Sequence, residues 1–296
     1  FGKSAKDIFS EFDGKDYEQT IKWCDKSFEI YNKYSEKKGY DKLHFEEKKA
    51  ELILLYVKSK YHLNQNKSSD FLKVLLSEIE EAIKIIENRK SIISSLESVN
   101  TLLESNKSVF DFAKKLNVEL YDLTMDSEYL NKAVSLHESA LYNRIRTRLN
   151  INDGISFADV PAEIIEKENE IRSKLNVKIE DQDNQDTAIE NIVMSNKEWS
   201  DFLEDIKKNH PKYYNMRYGT IGESLNYLQD DLDANTSVLR YFFIDEELYA
   251  YLLKKKEQKL FKLDYASIKK HIKILENTER KLSETSDLFF DLYQTL

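Results

Sequence analysis

The sequence predicts a mainly α protein: an array of paired helices, then a small three-stranded β-meander with flanking helices. Three observations carry that expectation. Only 6 Gly and 2 Pro occur in 296 residues, and the 114 residues between Gly39 and Gly154 hold neither. Sandwiches, barrels and doubly wound sheets need many tight turns, built from residues that accept positive φ or a preset φ, so they are disfavoured there. Apolar residues recur at helical spacing in segment after segment. The period changes only once, in an aromatic-rich stretch after residue 236.

A short helix over 4–12 precedes one over 16–34, where Tyr17, Ile21, Cys24, Phe28 and Tyr31 form a single apolar stripe. Segment 44–64 (Phe45, Leu52 to Val57, Tyr61, Leu63) is apolar on more than one side, the pattern of a helix with neighbours on both flanks. Leu72, Leu75, Ile79, Ala82 and Ile86 mark a helix over 70–87; Val109, Phe112, Leu116, Leu120 and Leu123 mark one over 108–124. Breaks are expected at 13–14, 38–39, 64–69, 88–91 and 106–108, with Ser69, Ser108 and Asp126 as helix N-caps. A further helix is expected over 127–149. Pro161 opens another, running to about Val177, because proline suits the first helical position. Helices over 188–209 and 220–232 come next, and the strands are expected at 237–244, 247–253 and 259–263. A last helix runs from Tyr265 to the end.

The helices group as pairs that begin near 4, 44 and 91. Thr20, Cys24 and Ser27, and likewise Ala133 and Ala140, fall at the small-residue positions of a second repeat helix. The array therefore resembles tetratricopeptide (TPR) repeats, in degenerate form, since the units exceed that family's repeat of about 34 residues.

Charge bounds the partners. The chain holds 45 basic and 54 acidic residues, net −9. That balance disfavours nucleic acid, whose affinity comes largely from neutralised phosphates. A single cysteine excludes a disulfide framework and a Cys-based zinc site. No run of about 18 apolar residues is present, so no membrane span is expected. With no leader pattern either, a cytoplasmic protein is expected. A first residue other than Met and an apolar pattern continuing to Leu296 lead to the expectation of a fragment.

Chemistry is sparse. Cys24 sits mid-helix on an apolar stripe, which suits a packing residue better than a nucleophile. His44, His62, His137, His210 and His271 make no metal-spaced pair; His137 falls on the Leu130, Val134 and Leu141 stripe. Asp231, Asp233 and Asn235 have the first three spacings of a calcium loop, but Thr236 and Phe242 stand where Gly and Glu are diagnostic. Lys254 to Lys256 form a solvated turn. Arg144, Arg146 and Arg148 are the candidate partner contacts, with an acidic partner as the functional reading and compensation of a helix C-terminus as the plainer one. No catalytic residue, metal site or cofactor is expected. Helical-repeat arrays of this kind bind other proteins or peptides.

From about residue 108 onward the chain resembles the junction of bacterial TPR–CHAT proteins, whose CHAT domain is a caspase-like, separase-related cysteine peptidase. The residues that carry the resemblance run in order: Leu120-Tyr121 with Glu128 to Ala133 and Glu138; Phe157 to Pro161 with Glu168; Pro211-Lys-Tyr213-Tyr214; Gln229 and Leu232; Leu239-Arg-Tyr241-Phe242; Leu248-Tyr249; and Leu288 to Leu296 with Leu292-Tyr293. The resemblance implies TPR-like repeats over 1–150, a helical junction over 151–215, and the N-terminal, incomplete part of an α/β CHAT domain over 216–296. It implies a His–Cys dyad on later strands, the histidine helping to form the thiolate. No position here matches either residue, so none of the five histidines nor Cys24 inherits the role, and this chain is expected to be inactive. The resemblance thus implies a regulatory, protein-binding part of a TPR–CHAT peptidase, partnered by the CHAT catalytic half and by a protein on the helical surface. The rival expectation is a stand-alone TPR-type adaptor or peptide-binding scaffold.

Overall fold

A computed structural model describes residues 5–34, 40–93, 96–138, 160–175, 185–218 and 229–276, and Phe290. The fold is mostly helical with one small antiparallel sheet. The helices are α1 (Ala5–Asp13), α2 (Tyr17–Tyr34), α3 (Tyr40–Leu63), α4 (Ser69–Ile92), α5 (Leu96–Ser105) and α6 (Lys107–Thr124). Next come α7 (127–138), α8 (Ala162–Leu175), α9 (Gln185–Asn209), α10 (Pro211–Arg217), a single turn α11 (229–231) and α12 (Tyr265–Glu276).

Through the array, α2 packs on α3, α3 on α4, and α4 on α6. Local chemistry sets the ends. Ser68, one residue before the expected cap, closes the start of α4: its Oγ accepts from Phe71 N at 3.3 Å. Asp126 caps α7 as expected, its Oδ1 accepting from Glu128 N at 3.0 Å. The expected cap at Ser108 is displaced, because α6 already starts at Lys107 and Asn106 precedes it without a side-chain cap bond. The break expected at 88–91 does not occur. Buried Ile86 and a Lys90–Glu87 ion pair carry α4 on to Ile92.

One apolar core fills the array. Leu72, Leu75, Ile79 and Ile86 of α4 interlock with Ile53, Val57 and Tyr61 of α3 and with Phe112, Leu116 and Leu120 of α6. Leu75 is fully buried within this cluster. Leu75→Ala is expected to cost about 2–5 kcal/mol, transfer and cavity terms together; urea denaturation followed by circular dichroism measures it.

The sheet has the order β1 (Ser237–Ile244), β2 (Glu247–Lys254), β3 (Glu257–Leu263), all antiparallel, as the sequence predicts. A two-residue turn joins β1 to β2, with Asp245 at φ 51°, a left-handed conformation that aspartate tolerates. The central strand β2 is buried on both faces, and one face of the sheet packs against helices. Phe242, Ile244, Tyr249, Tyr251 and Leu253 form a core with Val118 of α6 and with Leu130, Ala133 and Val134 of α7. The sheet thus sits directly on the last helices of the array. The other face carries exposed Leu239, Tyr241, Phe243 and Phe261. At one corner Tyr265 of α12 meets Phe243 edge to face, 4.9 Å between ring centres.

A third core joins α8, α9 and α10 through Ile171, Trp199, Phe202, Ile206, Tyr213 and Tyr218. Pro211 is the first residue of α10, where its missing N–H costs nothing. The group is tied to the array at the end of α4, where Trp199 Nε1 donates to Ser91 Oγ at 2.8 Å.

Candidate functional site

A cleft of about 810 Å³ opens where α5, α6 and α7 meet the β1–β2 turn and the start of α12. Its floor is built around a buried ion pair. Lys114 Nζ lies 2.6 Å from Asp111 Oδ1, with side-chain exposures of 7% and 5%. The same ammonium donates to the carbonyl of Phe243 in β1 at 2.8 Å. One buried cation therefore bonds both a helix carboxylate and the backbone of the sheet.

His137 of α7 lines the cleft beside this pair, its ring tilted against Phe242 at 5.6 Å. Burial lowers its pKa, and the Lys114 and Arg240 cations add to that, against the opposite pull of Glu138 and Asp111. The imidazole is thus neutral at pH 7. Leu103, Phe110, Leu136 and Tyr265 supply apolar walls, and Lys107, Lys269 and Glu246 stand among the lining residues. No Ser, Thr or Cys is among the residues that line it.

A second polar cluster lies in the α8–α10 core. Glu168 is fully buried and accepts a hydrogen bond from the Tyr213 hydroxyl. Arg217 Nη2 approaches its Oε1 to 2.6 Å and Arg172 Nε to 3.4 Å. Those two are charge contacts, since Oε1 receives no aligned hydrogen bond. Arg172 also donates to the Ser91 carbonyl at 3.1 Å and to Tyr218 Oη at 3.2 Å, with its guanidinium over the Trp199 ring. Burial and the neighbouring carboxylate push the phenol of Tyr213 up, and burial does the same to Tyr218.

Arg144, Arg146 and Arg148 lie outside the described residues, as does most of the helix expected over 220–232. Glu168 and Tyr213, two residues that carry the family resemblance, are brought into contact. Gln229, another, binds the β2–β3 hairpin: its Nε2 donates to the Lys254 carbonyl at 2.8 Å and its Oε1 accepts from Gln258 at 2.8 Å. Sequence reasoning missed Asp111, Lys114, Arg172 and Arg217.

Cys24 is fully buried between α2 and α3, its Sγ 3.9 Å from the Leu52 carbonyl. Burial, and then the charge of Asp25, raise the thiol to about 12. A thiol held protonated is a poor nucleophile. Native protein at pH 8 is expected to resist a disulfide-exchange reagent and to react with one equivalent on unfolding; rapid labelling of the native state contradicts the burial.

Among the described residues, no group of three or more His, Cys, Asp or Glu side chains is placed to hold a metal ion. Among them too, no helix is long and apolar enough to cross a membrane. No family model, no curated protein and no solved structure matches the chain.

Proposed function

We propose that this chain is the non-catalytic, protein-binding regulatory part of a TPR–CHAT caspase-like cysteine peptidase. The observation that supports the reading is the join between array and sheet. Helices α6 and α7 share a core with the inner face of the strands, and Lys114 bonds the backbone of β1. A protein or peptide seated on the helices biases their packing, and the strands respond because they rest on the same side chains. In the family that the sequence resembles, such strands begin the sheet that later carries the His–Cys dyad. A protonated, buried Cys24 fits a chain whose own role is recruitment or sensing. The reading places it in the cytoplasm, which a lone reduced thiol suits, and it uses no cofactor, nucleic acid or membrane.

The reading frame beyond Leu296 is the test. Strand segments carrying a His and then a Cys support the proposal. A stop codon or an unrelated domain there overturns it in favour of a stand-alone adaptor. Purified 1–296 is expected to hydrolyse no peptide substrate, and turnover abolished by Cys24→Ala contradicts the assignment.

A further inference from the structure

The chain is acidic, yet four lysines from four different elements converge without carboxylate partners. Lys15 is in the α1–α2 turn, Lys58 on α3, Lys67 in the α3–α4 loop and Lys115 on α6. No ion pair is found for any of them among the described residues.

Three of them stand over the buried rings of Tyr61 and Phe112. Lys67 Nζ lies 3.9 Å and Lys115 Nζ 4.9 Å from the centre of the Tyr61 ring. Lys58 Nζ lies 5.6 Å from that of Phe112. Exposed His62 stacks on Tyr17 at 4.8 Å with the rings 14° apart. Three carboxylates near the patch have another task. Glu119 accepts the Tyr61 hydroxyl at 2.5 Å, and Asp16 accepts from Gln19 N at the start of α2. Glu247, within reach of the Lys115 charge, pairs with Lys262 at 2.5 Å. His62 reports the resulting field: after burial, the charges of Lys115, Lys67, Lys58 and Lys15 all lower its pKa.

Holding four like charges around one aromatic patch is unfavourable in the free protein, and a desolvated anion relieves it. We infer that this patch, formed by Lys15, Lys58, Lys67 and Lys115 around Tyr61 and His62, is a docking site for a short acidic segment of a partner protein. The inference rests on the protein-binding role proposed for the chain and names the partner's chemistry. A peptide fits better than a nucleic acid. Long polyanions gain affinity by neutralising phosphates over an extended track, and this basic patch is an island on a chain of net charge −9. A few carboxylates satisfy the island without meeting the acidic surface beyond it.

Fluorescence anisotropy of labelled hexaglutamate with the whole 296-residue chain tests this. Saturable binding is expected, weakening as sodium chloride rises because the lysines are exposed or half-buried. Lys67→Gln with Lys115→Gln is expected to weaken it about tenfold or more, while the melting temperature stays unchanged. Lys84→Gln, on an exposed lysine paired with Glu81, is expected to bind like the parent. Absence of saturable binding overturns the inference, and so does a double variant that binds as well as the parent. Tighter binding of an oligothymidylate than of hexaglutamate also overturns it, pointing to nucleic acid. Failure of hexaglutamate removes the acidic partner alone; the sequence beyond Leu296 remains the separate measure of the peptidase reading.

Discussion

Asp111→Ala is expected to lower the unfolding free energy by about 3–5 kcal/mol, the range for breaking a buried pair from one side. The reason is what it leaves behind. Lys114 is 7% exposed, and Asp111 is the carboxylate that compensates its ammonium. Without it a cation stays buried, with only the Phe243 carbonyl as a strong acceptor. The melting temperature should fall by on the order of 10 °C for a chain of this size. The double variant Asp111→Leu with Lys114→Met should recover most of the loss, because replacing a buried pair by apolar side chains of similar volume is often neutral or stabilising. Thermal melts of parent, single and double variants give the comparison. A single variant within about 0.5 kcal/mol of the parent, the usual range of surface substitutions, contradicts the buried pair.

Glu168→Ala is expected to be comparably severe, at about 3–5 kcal/mol. It removes the carboxylate shared by Arg172 and Arg217 and the acceptor that the Tyr213 hydroxyl bonds. Glu168→Gln keeps the shape and an acceptor for Tyr213 while losing the charge, and should cost less, about 1–3 kcal/mol. Trp199 reports the loss. It lies in the same cluster beneath Arg172, and the other tryptophan, Trp23, is on α2. In a Trp23→Phe background, the emission of Trp199 should therefore track the opening of α8–α10. A Gln variant as stable as the parent contradicts a charge-based role for Glu168.

Much of the fold is legible in the sequence because it is written in short-range patterns. Helices α2 and α6 match their expected spans to within a residue, and the strand expectations 237–244 and 247–253 match β1 and β2 equally well. An apolar stripe of period 3.6, or a run of aromatic and β-branched residues, needs no knowledge of distant partners. The misses are tertiary. The pattern ends α4 too early because Asn88 and Ser91 read as a loop, whereas Ser91 is held by Trp199 and Arg172, 108 and 81 residues further on. Asp111 and Lys114 read as ordinary helix surface residues, and only the sheet packed above them makes them core. The lysine ring is equally invisible in sequence, since its members come from a turn, two helices and a loop.

A regulatory role requires the helices and the sheet to form one cooperative unit, so that a change in the array is felt by the strands. Native-state hydrogen exchange of the Leu75→Ala variant measures this coupling. Leu75 belongs to the array core, and the strands' core is a separate cluster met through α6 and α7. In a coupled molecule, amides of 237–263 lose protection together with those of α3, α4 and α6, by a matching free energy. Strands that keep the parent's protection while α3 and α4 lose theirs contradict the coupling, and with it the regulatory role.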